Sequence, residues 1–305
     1  MYLCIILLIG YYNVAEDDTA RSFFYLNFAL TVLLSGLHCL FMGGVEYYEA
    51  TSALSVSRLG IIGAGAGDPV FSGLLLLIGV ALFLCNRSAN RWFRYGAIAI
   101  LLSATMTTIS TTVLIMTILL LAVYYITHAR LGKGILSICV MCLVCVLALY
   151  VYNGLPAAMH IEVVDEILSK TFLKYTQFMS GNAADATTYR SLLSEMYLDA
   201  FNGQGIMEKI FGGNSIPLPH IKVGRYNLVS HNTYIDLLLR FGVLGTNFTL
   251  MIVAWRYIAS LLRFKRQGIN GELVLVKTLL LAYAYSVSIY YGVFFSFWYV
   301  FVVCF

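Results

Sequence analysis

The sequence predicts an all-α fold: a polytopic membrane helical bundle of about eight or nine spans with a long, partly helical extracytoplasmic loop. Three observations predict it. Hydrophobic residues make up 60% of the 305 residues and charged residues only 11%, with a mean hydropathy of +0.84. A soluble domain carries about a quarter charged residues, so this chain lacks the polar surface to coat a globule in water. The apolar residues also run in long uninterrupted stretches. A lipid-embedded backbone must satisfy its own hydrogen bonds, as a helix or a closed barrel, and unbroken runs favour the helix over barrel alternation. Finally, Lys and Arg gather in short clusters between the runs.

Apolar spans are predicted at 22–42, 70–86, 95–108, 111–127, 134–152, 241–262, 272–291 and 292–305, with a short start at 1–14. The start has no basic n-region and no small-residue cleavage site, so a signal peptide is not expected. It is shorter than a span needs, which leaves a partial helix or further helices upstream. Residues 95–127 leave room for two short crossings only, with the Thr-rich stretch Thr105 to Thr112 as the turn. Three basic clusters set the topology: Arg87, Arg91 and Arg94; His128, Arg130 and Lys133; Arg263, Lys265 and Arg266. Placing all three in the cytoplasm makes 95–127 cross twice and puts 43–69 and 153–230 outside. The expected organisation is membrane helices over 1–152 with an external segment at 43–69, an extracytoplasmic loop domain over 153–231, and membrane helices over 232–305.

The loop is not low in complexity. Six Lys/Arg roughly balance seven Asp/Glu within it. A helical pattern runs from Ala184 to Phe201, with Tyr189, Leu192, Leu193, Met196, Tyr197 and Ala200 predicted on one face. Phe211-Gly212-Gly213-Asn214 and Pro217-Leu218-Pro219 read as turns. Loops of this length are usually functional or disordered, and the amphipathic pattern and aromatic residues favour a folded one.

The net charge of +4 is small and dispersed, so nucleic acid is not an expected partner. All seven cysteines fall in or beside apolar runs and none in the long loop, so no disulfide framework is expected. Cys139, Cys142 and Cys145 recur every third residue, a pattern read as small packing residues of one helix. The two C-x-x-C spacings of that triplet lie inside an apolar run, aspartates do not cluster, and no H-E-x-x-H or G-x-S-x-G motif occurs; no bound metal and no cofactor are expected.

The candidate chemistry lies at the external face. His231-Asn232 ends the loop and is followed by nine residues and then Gly242-x-x-Gly245. Ser230, Asn232 or Thr233 would cap a helix there, and the glycines permit a break or a close approach. A histidine so placed serves as a general base or, protonated, holds an anion; the alternative is an interfacial histidine without chemistry. Arg190 follows Thr187-Thr188-Tyr189, and Arg58 precedes Gly63, Gly65, Gly67 and Asp68-Pro69. Guanidinium groups suit bidentate contact with phosphate oxygens, and two on one side of a membrane would hold a diphosphate. The alternative for each is a snorkelling or surface residue. The glycine run is no Walker loop, because no Gly-Lys-Ser/Thr follows.

Taken together these residues resemble the O-antigen ligase/polymerase family of bacterial membrane glycosyltransferases, over roughly residues 50–260. The most specific part is His231-Asn232-x9-Gly242-x-x-Gly245 after a long external loop. Arg58 with the Gly-rich stretch and Asp68-Pro69, and Arg190 ahead of Phe211-Gly212-Gly213, also fit. Two features depart from the pattern: Thr105 to Thr112 lacks the arginine the family often carries at that hairpin tip, and the family usually has more spans. The resemblance implies a multi-pass protein of the bacterial cytoplasmic (inner) membrane that acts among membrane lipids. Its donor would be a glycan on undecaprenyl diphosphate, and its acceptor another glycan or lipid-linked group. An acceptor hydroxyl attacks the reducing-end sugar carbon and the diphosphate leaves, so developing charge must be stabilised. The resemblance assigns Arg58 and Arg190 to the diphosphate and His231 to the acceptor proton or the leaving group. It assigns Asn232, Tyr189, Gly242 and Gly245 to substrate binding. Aromatic loop residues such as Tyr175, Phe178, Tyr197 and Tyr226 would either stack on sugars or pack within the loop. The expected activity is repeat-unit polymerisation, with ligation to lipid A-core as the alternative and a transporter or flippase as the rival class; a catalytically dead fragment of the family is a further rival. Transporters place polar groups at mid-membrane, whereas the candidates here lie at the outer face.

Overall fold

The computed structural model describes residues 18–42, 45–48, 57–60, 69–85, 90–128, 150–156, 159, 161–181, 190–213, 221–223, 226–228, 232–267 and 271–285. Nearly all of these residues are helical: α1 (Asp18–Met42), α2 (Pro69–Cys85), α3 (Arg91–Met106), α4 (Thr111–His128), α5 (Glu162–Met179), α6 (Arg190–Asn202), α7 (Ile206–Phe211), α8 (Thr233–Gln267) and α9 (Gly271–Tyr283). The fold class is all-α, as the composition predicts. Two antiparallel hairpins, unforeseen in the sequence, accompany the helices. β1 (Val45–Tyr48) pairs with β2 (Ser57–Gly60), and β3 (Ile221–Val223) pairs with β4 (Tyr226–Leu228).

The chain divides into two compact units. One comprises 18–172 with 263–279; the other is built chiefly from 173–262 with the residues from 280 onward. In the first, α2 is the central helix and packs on α1, α3 and α4. Its sequence is apolar all round, and a helix without a polar face is stable only when enclosed. Leu74, Leu76, Leu77, Ile78, Val80, Ala81 and Phe83 are all fully buried. Gly73 permits the approach of α4, because a Cβ there would collide with both methyl groups of Val113. Close helix contact through a small residue is a frequent device in membrane bundles.

The hairpin predicted within 95–127 is present. α3 ends at Met106, the chain turns through Thr107–Ser110, and α4 starts at Thr111. The hydroxyls of Thr105, Thr107 and Thr108 donate to the carbonyls of Leu102, Ala104 and Thr105, which closes the turn locally. Ile109 adopts φ 42 there, a conformation costly for a β-branched residue. α3 starts earlier than expected. Asn90 caps it by accepting from the Trp92 N–H at 2.9 Å, so Arg91 and Arg94 belong to the first turn and not to a connection. Their guanidinium groups lie 5.3 Å and 5.0 Å from the ring centroids of Trp92 and Tyr95.

One described helix, Thr233–Lys265, is long and apolar enough to cross a membrane. Leu26–Phe41, Val70–Cys85 and Thr111–Thr127 are shorter apolar helices. At 1.5 Å per residue α3 and α4 extend about 24 and 27 Å, against a hydrocarbon core of about 30 Å. The spans predicted at 1–14 and 292–305, almost all of 134–152, the cysteine triplet Cys139, Cys142 and Cys145, and Pro217–Pro219 lie outside the described residues.

The Gly73 contact yields a test. Gly73→Leu will force α2 and α4 apart and lower the stability of the detergent-solubilised protein by about 1–3 kcal/mol. Pairing it with Val113→Ala will recover part of the loss. Thermal melts of the single and double variants measure both effects.

Candidate functional site

The site is built around the start of α8. Asn232 is its N-cap: the side-chain Oδ1 accepts from the Tyr234 N–H at 3.0 Å and from the Ile235 N–H at 3.3 Å. The Asn232 carbonyl accepts the first helical bond, from the Asp236 N–H at 3.1 Å. The Thr233 N–H donates to the Ala284 carbonyl at 2.8 Å, and the Tyr234 hydroxyl donates to the Leu281 carbonyl at 2.8 Å. Helix ends leave N–H groups orphaned at one terminus and carbonyls at the other. Here the start of α8 and the residues ending α9 satisfy each other. Asn232, Thr233 and Asp236 are all buried.

The loop helix α6 packs on this start. Tyr197 is fully buried and clusters with Ile235 and Leu239 of α8, with Phe201 against them. The buried stripe of α6 therefore runs through Leu193 and Tyr197, and not through Leu192, Met196 and Ala200, which stay exposed. That corrects the predicted apolar face, which spans both stripes. Arg190 opens α6. It stands three residues before Leu193 and seven before Tyr197, and thus by helical register on the stripe that meets α8.

Further along α8 the helix breaks at Gly242, which has φ 61 and ψ −170. That region is essentially reserved for glycine. The break falls where the predicted span begins, at 241: a first helical piece from Thr233 ends there and a second continues beyond it. α7 meets it there. A Cβ on Gly242 would stand 2.5 Å from the Gly212 nitrogen and 2.6 Å from the Ile210 carbonyl oxygen. Gly212 has φ 87, and a Cβ on it would collide with the Arg240 carbonyl. The Phe211-Gly212-Gly213 turn and the Gly242-x-x-Gly245 motif thus form one backbone-to-backbone contact. Gly245 completes it, since a Cβ there would stand 2.6 Å from the Phe241 Cβ. The structure accounts for these glycines through packing.

The break leaves a polar trace. Thr249 donates to the Gly245 carbonyl at 2.8 Å, the usual bond of a helical threonine to the fourth residue before it. For Thr246 that acceptor would be the Gly242 carbonyl, which ψ −170 turns out of line. The Thr246 hydroxyl is buried and has no partner among the described residues, as have both polar atoms of the Gln204 side chain in the turn before α7.

Of the predicted site residues, Asn232, Gly242 and Gly245 lie on α8, and α6, which Arg190 opens, packs against the first turns of that helix. Arg58 lies in β2 opposite Tyr47, in the other unit. For Arg58 and Arg190 the backbone position is what the structure describes. His231 and Tyr189 lie outside the described residues. In the bundle, a shallow crevice at the hairpin tip is lined by Thr105, Ser110, Val113 and Thr117 and by Ile167 of α5. Lys170, one turn on from Ile167, is buried.

Three charged residues outside the predicted site set are buried among the described residues: Lys170, Asp236 and Lys277. Lys277 is the one charge in the apolar run from Leu273 to Tyr285, which was its available signal. Asp236 stands four residues after Asn232, the spacing of a residue stacked above a cap.

Asn232→Ala will cost about 0.5–2 kcal/mol by removing the cap. Gly242→Ala and Gly212→Ala will cost more, because each meets both a forbidden φ and a backbone collision. Gly96→Ala, where an added Cβ meets nothing within 4 Å, is the control and will be neutral or stabilising by up to about 1 kcal/mol. Melting temperatures of the four variants in one detergent order these effects. No family model, curated protein or solved structure matches this chain.

Proposed function

We propose that this chain is a membrane glycosyltransferase of the O-antigen ligase/polymerase type. It would transfer undecaprenyl-diphosphate-linked glycan at the extracytoplasmic face of the bacterial cytoplasmic membrane. The observation that carries the reading is the start of α8. A loop helix opened by Arg190 is packed on a capped helix start, and the residue before the cap is His231. The multi-pass topology of eight or nine spans belongs to this proposal and rests on composition and the basic clusters.

In the proposed reaction an acceptor hydroxyl gives its proton to His231 and attacks the reducing-end sugar carbon. A new glycosidic C–O bond forms there. The bond from that carbon to the diphosphate breaks, and the diphosphate leaves with the electron pair. Arg58 and Arg190 neutralise the charge as it develops, the step at which electrostatic stabilisation contributes most. The donor N–H groups of Thr233, Tyr234 and Ile235 are already engaged. The leaving diphosphate is therefore assigned to side chains and not to the helix amides.

His231→Ala, Arg58→Ala and Arg190→Ala will each abolish glycan transfer while the protein remains in the membrane. Arg→Lys at either arginine will restore little, since lysine lacks the bidentate fork. Complementation tests this directly. In a strain lacking its polymerase, wild-type chain will restore a ladder of glycan lengths. Restoration of capped core in a ligase-deficient strain assigns ligation instead. Full activity in all three alanine variants removes the enzymatic reading.

A further inference from the structure

We propose that α7 is a lipid-docking helix: it lies within the interfacial layer of the outer leaflet, although the loop that carries it is read as external. The inference rests on the membrane reading of α8 and is independent of the glycosyl-transfer chemistry.

Three observations carry it. Ile206, Met207 and Phe211 are 77%, 71% and 64% exposed. At about 100° per residue, Ile206, Ile210, Met207 and Phe211 form one apolar arc, with Glu208 and Lys209 opposite. Glu208 accepts the Gly205 N–H at 3.2 Å and so holds the first turn from its polar side. A helix of six residues facing water would not keep three such side chains uncovered without a partner.

The second observation is continuity. The backbone of Ile210 and Gly212 rests on Gly242, and flanking that point Phe241, Val243, Leu244 and Phe248 of α8 are exposed. The apolar arc of α7 thus adjoins the outward apolar face of the membrane-length helix. Lipid is the partner of that face in the membrane reading, so the same phase would cover both.

The third is depth. Between Gly242 and Arg263, the residues Val243–Leu262 extend about 30 Å at 1.5 Å each, the thickness of the hydrocarbon core. Arg240 stands just before this stretch and Arg263 and Lys265 just after it, all three exposed. Arg256 lies within snorkelling reach of the latter end. Gly242, and with it the last turn of α7, therefore falls at the outer boundary of the hydrocarbon. Amphipathic helices bind at that depth.

The test is site-specific photocrosslinking in the full chain, reconstituted in vesicles of phosphatidylethanolamine and phosphatidylglycerol carrying a labelled phospholipid. p-Benzoylphenylalanine is placed in turn at positions 206, 207, 195 and 248. All four native residues are exposed or nearly so, and using both 206 and 207 guards against a failed variant. The expected result is lipid adduct at 206 or 207 comparable to that at 248, and about tenfold above that at 195 on the polar side of α6. Adduct at 248 but only background at 206 and 207 overturns the inference alone. Crosslinks from 206 and 207 to a second copy of the chain, without lipid adduct, also overturn it. Background at 248 means that α8 does not lie in lipid, and the proposed membrane function falls with it.

Discussion

The approach of Gly242 to Gly212 is a contact between two main chains with no side chain between them, and much of the second unit follows from it. A membrane-length helix must keep its backbone bonds, and a break in the middle of the hydrocarbon would be expensive. Gly242 places the break about ten residues in from the helix start, with α7 packed against it. The consequences are local and specific. Gly245 must be small because the break brings the Phe241 Cβ over it, and the Thr246 hydroxyl loses its ordinary acceptor. Without the contact α7 would lose its seat on α8.

A second fastening lies nine residues earlier. Asn232, Thr233 and Tyr234 fix the entry of α8 through the cap and through the carbonyls of Leu281 and Ala284. Tyr197 with Ile235 and Leu239 then fixes α6 to the same turns. The first two turns of α8 are therefore held from three directions. Such rigidity suits a site that must present charged groups in fixed geometry to a ligand, because positioning is lost when the supporting residues move.

The sequence showed the helical class, the hairpin over 95–127 and a capped helix start at Ser230, Asn232 or Thr233 because each is written in local chemistry: apolar run length, threonines at a turn, a short polar side chain before a helix. It did not show β1 and β2, whose pairing is a register between residues nine to fifteen positions apart that no local motif marks. It missed α5 because Glu162, Asp165, Glu166, Lys170 and Lys174 make that helix polar, and polar stretches in a loop carry no burial signal. The predicted face of α6 was too wide, taking in Leu192 and Met196 beside the buried Leu193 and Tyr197. Met196 and Tyr197 are adjacent and both apolar in outline, and only the tertiary contact with Ile235 and Leu239 decides between them. The meeting of Gly212 with Gly242 is a long-range contact between two glycine motifs, each of which reads on its own as a turn or a break.

The engaged amides at the start of α8 constrain the chemistry more tightly than the motif does. A helix N-terminus usually attracts anions through its free N–H groups and its dipole. Here the N–H groups of Thr233, Tyr234 and Ile235 bond to Ala284 and Asn232, and Asp236 is buried in the same first turn. A diphosphate approaching this end would find no available amide from those three residues. Its binding then depends on cations brought from outside the helix, and α6 is the element packed here that begins with one. Under the proposed reading, loosening Tyr197 from Ile235 and Leu239 would weaken anion binding even with every cation still in the sequence, because those contacts hold the helix that Arg190 opens.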